Sequence, residues 1–185
     1  MENTPARRQC GATVTEVVVG LGIAAGAAGL AAPSMQEFLR ASELTTASGE
    51  LLADLHLARS EALQRNRRVA LCKSADGLQC TGQGGWQQGW LVFQDENNNG
   101  VLDDGEEKVA VHGALQQGMR VTGNQHVAHY ISFNALGATQ LTGGGFQAGT
   151  LTLCRASAAP TPSRQVILNA VGRPRVQRAT VPVCA

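Results

Sequence analysis

The chain has 185 residues, 43% of them hydrophobic but only 4% aromatic, with a formal net charge of +1. That length accommodates one globular domain with appendages and excludes a miniature fold that depends on a metal or on many crosslinks. The small net charge excludes no charged partner, because the signs are segregated: every Asp and Glu lies in residues 1–107, whereas Lys108, Arg120, Arg155, Arg164, Arg173, Arg175 and Arg178 stand in a second part with no acid at all, so that part can present a basic surface.

The first element is an apolar run from Ala12 to Ala32, preceded by Arg7 and Arg8. As a helix rising ~1.5 Å per residue it spans about 31 Å, roughly a bilayer's hydrocarbon core. The two arginines place the N-terminus in the cytoplasm and the rest of the chain outside. A cleaved secretory signal with LAA before Pro33 is the ordinary reading. Glu16 inside the apolar run and a proline directly after the cut argue against it. An unpaired carboxylate in a low-dielectric medium costs on the order of several kcal/mol, so Glu16 needs a partner.

The stretch CGATVTEVVVGLGIAAGAAGLAAP resembles the N-terminus of a type IV prepilin, with Glu16 and Pro33 where that family places its stem glutamate and proline relative to a cut after Gly11. The resemblance implies a leader, 1–11, removed by the prepilin peptidase, and methylation of the new N-terminus at Ala12. It also implies a stem, 12–33, that spans the membrane and then joins a fibre. There Glu16 would pair with the α-amino group of a neighbouring subunit, offsetting its desolvation. The stem departs from the family in having Ala12 where phenylalanine is usual. It is also rich in glycine (Gly20, Gly22, Gly26, Gly29), which weakens a helix in water but permits close helix contact.

From 34 to 66 the apolar positions Phe38, Leu44, Leu51, Leu55, Ala58 and Ala62 recur at helical spacing, with Leu52 and Leu63 widening the stripe. This predicts an amphipathic helix continuing the stem, with Pro33 as a kink or joint, and its stripe packed on the β-rich domain C-terminal to it. A coiled coil is the alternative, disfavoured by Gly49 and irregular heptads.

Residues 67–185 change to short β runs separated by Gly, Asn and Pro: 68–72, 90–93, 107–112, 119–122, 129–133, 150–154, 164–169 and 173–177. Loops of this length favour antiparallel meanders over βαβ units. The expectation is an α+β fold, a long N-terminal helix packed on antiparallel β-sheets. Once Cys10 leaves with the leader, four cysteines remain, an even number that suits an oxidising compartment. Cys72 with Cys80 would close a short loop and Cys154 with Cys184 would tie down the C-terminus, one of three pairings that four cysteines permit.

The segments ELLADLHLARSEALQRNRRVALC, GWQQGWLVFQDENNNGVLDDGEE, ISFNALG and LNAVGRPRV resemble the FimT/GspH group of minor pilins and pseudopilins. The resemblance covers nearly the whole chain. It implies a pilin-like fold and a minor subunit at or near the tip of a type IV pilus, the alternative being a pseudopilin of a type II protein secretion system. It further implies a single-pass bacterial inner-membrane protein with its head in the periplasm, destined for a fibre of other pilins or pseudopilins.

Two stretches could carry chemistry. Asp95 to Glu106 reads DENNNGVLDDGE and fits a calcium loop. Asp95, Asn97, Asn99, Asp103 and Glu106 would supply side-chain oxygens, Val101 its carbonyl, and Gly100 the turn. Its flanks read as strands where an EF-hand has helices, so the alternative is an acidic hairpin loop needing no metal. No cofactor is required, and Ca2+ is the cation this motif suggests.

The other stretch is the basic C-terminus, where Arg173 and Arg175 share a side if extended and can bridge successive phosphates. Arg155, Arg164 and Arg178 add charge. In FimT-like proteins a late GRxR motif is associated with binding DNA during uptake for natural transformation, and Gly172, Arg173 and Arg175 match it. The alternative is that these arginines solvate a strand edge or meet acids of a neighbouring subunit. With few aromatics, binding to double-stranded DNA would be backbone-directed and sensitive to salt. His56, His112, His126 and His129 form neither metal nor triad spacing, and no nucleophile elbow, P-loop or dinucleotide fingerprint occurs. The expectation is therefore a fibre subunit, not an enzyme.

Overall fold

The computed structural model describes Gly11 and residues 13–185, the side chains of 27–34 excepted. Ala12, the expected residue after the cut, and the side chain of Pro33 lie outside the described residues. The chain divides into two compact units, residues 1–39 and 40–185. Helix α1, Val14–Arg65, contributes to both.

In the first unit the backbone N–H of Glu16 donates to Thr13 Oγ1 at 3.3 Å. A Thr followed three residues later by Glu is the pairing that satisfies the free donors of a helix start, and a carboxylate in the first turn also suits the helix dipole. Val14, Val17, Val18, Val19, Leu21 and Ile23 are all exposed. Among the described residues no helix is long and apolar enough to cross a membrane, so the single-pass reading rests on the sequence pattern.

In the second unit Leu44, Ala47, Leu51, Leu55, Ala58 and Ala62 are buried. Their three- and four-residue spacing places them in one stripe. Two predicted stripe members are not part of it: Phe38 is 68% and Leu63 49% exposed. The helix stops at Asn66, whose positive φ of 51° lets the Arg67 N–H return to the Ala62 carbonyl at 3.3 Å, a turn that satisfies a terminal carbonyl.

Eight strands come after the helix: β1 Val69–Lys73, β2 Trp90–Gln94, β3 Lys108–His112, β4 Met119–Gly123, β5 Tyr130–Phe133, β6 Gly149–Arg155, β7 Thr161–Leu168 and β8 Pro174–Val181. They form two four-stranded sheets, ordered β3-β2-β1-β5 and β4-β6-β7-β8, with every pairing antiparallel. The helix stripe joins Leu71, Val92 and Phe133 of the first sheet and Val121, Leu153 and Val166 of the second in one core. Ala70, Cys72, Leu91 and Phe93 form a second cluster with Cys80, Leu102 and Tyr130. With both faces of β1 covered, its five residues are all buried. This is the expected α+β architecture, a helix packed on antiparallel sheets.

Cys72 is bonded to Cys80 and Cys154 to Cys184, the pairing that the spacing favours. The second disulfide fastens the C-terminal segment, where Ser157 and Cys184 also exchange backbone hydrogen bonds.

Candidate functional site

Three distant motif segments meet where the helix ends. Arg59, in the LARSEA segment, donates through Nε to the Gly137 carbonyl at 3.0 Å. Gly137 belongs to ISFNALG, and its turn is closed by its own N–H to the Asn134 carbonyl at 2.8 Å. Gly172, from LNAVGRPRV, lies against the same carbonyl; a β-carbon built on Gly172 would stand 2.0 Å from Gly137 O. The turn carrying Gly172 is held by Asn169, whose carbonyl accepts from Gly172 N–H at 3.0 Å. The Asn169 side chain accepts from Arg173 N–H at 2.9 Å. The GRPR segment is thereby anchored on the fold at its first two residues.

The five arginines of the basic C-terminus do not form one patch. Arg155, at the end of β6, is ion-paired with Glu43 of α1, so its charge is compensated within the chain. Along β8, Pro174, Val176 and Arg178 alternate with Arg175 and Gln177, which assigns the two sets to opposite faces, and Arg173 stands directly before the strand. Arg164 is the register partner of Arg178 and reaches Thr45 Oγ1 of α1 at 3.2 Å. Arg164 and Arg178 therefore face the helix. Arg175 occupies the outer face, where its Nη1 lies 3.4 Å from Gln177 Oε1 and Gln177 is bonded to Gln165 at 2.8 Å. Arg173 and Arg175 are exposed, as is Arg178.

The loop from Asp95 to Glu106 is folded on its own side chains. Asp95 is fully buried and its two oxygens accept from the N–H groups of Asn99 and Gly100, each at 3.0 Å. Burial pushes its pKa above the usual carboxylate value, and those two N–H groups pull it back. Asn97 and Asn99 both direct amide groups at Asp103 Oδ2, each at 2.6 Å. Glu106 accepts from Glu96 N–H at 2.8 Å and from Asp103 N–H at 3.0 Å. Among the described residues no three His, Cys, Asp or Glu side chains are grouped to hold a metal. The flanks are strands β2 and β3, as expected from the sequence, and Val101 is exposed.

Other side chains have roles that no motif announces. Lys73 is buried and donates to the carbonyls of Gly84 at 2.8 Å and Gly82 at 3.3 Å, and burial lowers its pKa. Trp90 donates to Asp54 Oδ2 at 2.8 Å while stacking on His112 at 4.0 Å, so one of the four histidines is a packing partner. The signal for these is a buried-strand pattern around a lysine and a tryptophan, which names a core position without naming its partner.

The family described as type II transport protein GspH matches residues 47–172, from the helix stripe to the glycine that anchors the GRPR turn. Among solved structures, the type IV minor pilin FimU of Pseudomonas aeruginosa is similar at 21% identity and a TM-score of 0.54, over 80% of this chain and 99% of that one. A second crystal form of FimU gives 21% identity and a TM-score of 0.52, over 77% and 100% of the two chains. The minor pseudopilin EpsH of Vibrio cholerae is similar at 13% identity and a TM-score of 0.49, over 73% and 96%. No curated protein sequence matches the chain. With its helix packed on antiparallel sheets, the chain has a type IV pilin-like fold and belongs to the GspH family.

Proposed function

We propose that the chain is a minor subunit of a type IV pilus, matured by cleavage after Gly11 and inserted into the fibre through α1, and that its GRPR turn binds the backbone of double-stranded DNA. The observation that carries the fibre role is the exposed apolar start of α1, where Val14, Val17, Val18, Leu21 and Ile23 lie on the surface. In water such a surface is a liability, and packing it among the stems of other pilins removes it. Supporting the DNA role, Arg173 and Arg175 are both exposed, and neither makes an ion pair among the described residues. Two positions two residues apart in extended backbone stand about 7 Å apart, a spacing from which two guanidiniums can reach successive phosphates.

Duplex DNA titrated with the full chain in detergent over a salt series tests the second part. The expected result is affinity that falls with salt, and a slope smaller by about 0.9 per lost phosphate contact in Arg173→Ala and Arg175→Ala. Binding absent at low salt, or unchanged in the double variant, overturns it. Deletion in the source bacterium tests the machine: loss of twitching or of DNA uptake supports the pilus. Loss of exoprotein secretion instead supports a type II secretion pseudopilus, the reading favoured by the description of the matching family.

A further inference from the structure

We propose that Arg164 and Arg178 form an oxyanion site that takes a phosphate group, against a wall of α1 where the hydroxyls of Thr45 and Ser48 already donate to the carbonyls of Ala41 and Thr45. The two arginines stand directly opposite each other across the β7–β8 ladder. Residues so placed point to the same face, and like charges there repel. Among the described residues no acid relieves that repulsion. Neither arginine makes an ion pair there; Glu43 is paired with Arg155, and Glu50 lies 3.5 Å from His112 Nε2. Arg164 touches Thr45 Oγ1 and the carbonyl of its neighbour Ser163. The guanidinium of Arg178 makes no hydrogen bond among the described residues.

The arginines line a cleft of about 300 Å³ whose opposite wall is Thr45, Ser48 and Gly49 of α1. Gly49 leaves that wall open, with nothing within 4 Å of the place a β-carbon would occupy. The volume falls at the lower end of small-ligand sites, roughly 300–1,000 Å³, so it accepts a phosphate group together with part of the molecule that bears it. Val176 supplies an apolar side. A guanidinium offers a planar fork that matches phosphate oxygens, and two forks meet a dianion where a carboxylate would satisfy one. A dianion in this cleft converts a repulsive cross-strand pair into two attractive ones. Gln177, which accepts from Arg175 at 3.4 Å, also lines the cleft, but Arg173 and Arg175 are not among its lining residues, and the site does not depend on DNA binding by them.

The test uses the full chain in detergent, with inorganic phosphate titrated against chloride at matched ionic strength. Melting temperature and the phosphorus NMR linewidth are followed together. The expected result is a saturable rise in melting temperature and line broadening, both lost in Arg164→Gln and Arg178→Gln and both kept in the Arg173→Gln/Arg175→Gln double variant. Gly49→Leu fills the cleft without altering charge, at a helix position with space for a side chain, and is expected to abolish the response while the chain stays folded. No response beyond chloride overturns the proposal, as does equal loss in the Arg173/Arg175 variant or full retention in Gly49→Leu. A short DNA duplex supplies the last arm. If Arg164→Gln/Arg178→Gln weakens duplex binding as much as the Arg173→Gln/Arg175→Gln variant does, the cleft is one end of a continuous nucleic-acid surface and the separate site is overturned.

Discussion

Gly172 lies so close to the carbonyl oxygen of Gly137 that a β-carbon on it would stand only 2.0 Å away, and its φ is +73°. Either condition alone disfavours a side chain. Gly172→Ala is therefore expected to cost roughly 2–4 kcal/mol and to shift the GRPR turn, since the loop cannot both keep Arg59 on the Gly137 carbonyl and admit a methyl group. Thermal or urea unfolding measures the first effect. The second appears as a loss of duplex DNA affinity in a variant that keeps both Arg173 and Arg175.

The two disulfides differ in the chain they enclose, with sequence separations of 8 for Cys72–Cys80 and 30 for Cys154–Cys184. Loop-closure entropy alone assigns about 2.5 kcal/mol to the first and about 3.6 kcal/mol to the second. Replacing both members of a pair with alanine is expected to lower the unfolding midpoint more for Cys154 and Cys184. That pair should also free the C-terminus, which Ser157 alone would then hold through its backbone bonds to residue 184. Limited proteolysis is expected to trim residues after β8 in that variant and not in the other.

Asp95 is buried, and its oxygens satisfy two backbone donors of the loop that it opens. Asp95→Ala leaves the Gly100 N–H without its acceptor and the Asn99 N–H with only Asn97 Oδ1 at 3.1 Å, and is expected to cost roughly 1–3 kcal/mol. Calcium is expected to leave the melting temperature of the unmodified chain unchanged. To coordinate it, Asn97 and Asn99 would have to turn their amide groups away from Asp103 and Glu106 would have to release two N–H groups. A saturable rise with calcium that vanishes in Asp95→Ala would reverse this expectation and make the loop a cation site.

Much of the architecture is legible in the sequence because the core is built by simple periodicities. The helix stripe obeys three- and four-residue spacing, and β1 and β2 read as continuous apolar runs because both their faces are covered. Where burial is incomplete the pattern fades. β8 is exposed along most of its length, so its apolar signal is weak, and β7 begins at Thr161 just before Pro162, a residue that argues against a strand from sequence alone. The division of the arginines is not legible. Which face each takes depends on strand register, and the partner of Arg155 is 112 residues away in α1. Sequence spacing shows that charge is concentrated late in the chain; only the ladder decides which charges already have partners and which face the helix.

Arg65, in the last turn of α1, joins Glu61 of its own helix to Glu107 before β3, both at 2.6 Å. The guanidinium holds the Glu107 carboxyl below its ordinary value of 4.5. Asp76 is likewise held below its ordinary value, chiefly by the N–H groups of Leu78 and Gln79. A carboxyl whose folded pKa is depressed contributes stability that is present above its unfolded pKa and lost as pH falls through the folded one. Asp95 works in the opposite sense: with its folded pKa raised by burial, its contribution is present below the unfolded pKa and lost as pH rises through the folded one. The unmodified chain is therefore expected to lose stability from Glu107 and Asp76 as pH falls below about the ordinary carboxylate range, offset in part by Asp95. In Arg65→Gln the Glu107 share of that acid loss should disappear while the Asp76 share persists, so melting temperature against pH flattens without becoming level. Glu107 is 63% exposed in its side chain, so the difference should be modest and shrink further in high salt. An acid limb identical in the two proteins would mean that the ion pair contributes nothing to folding.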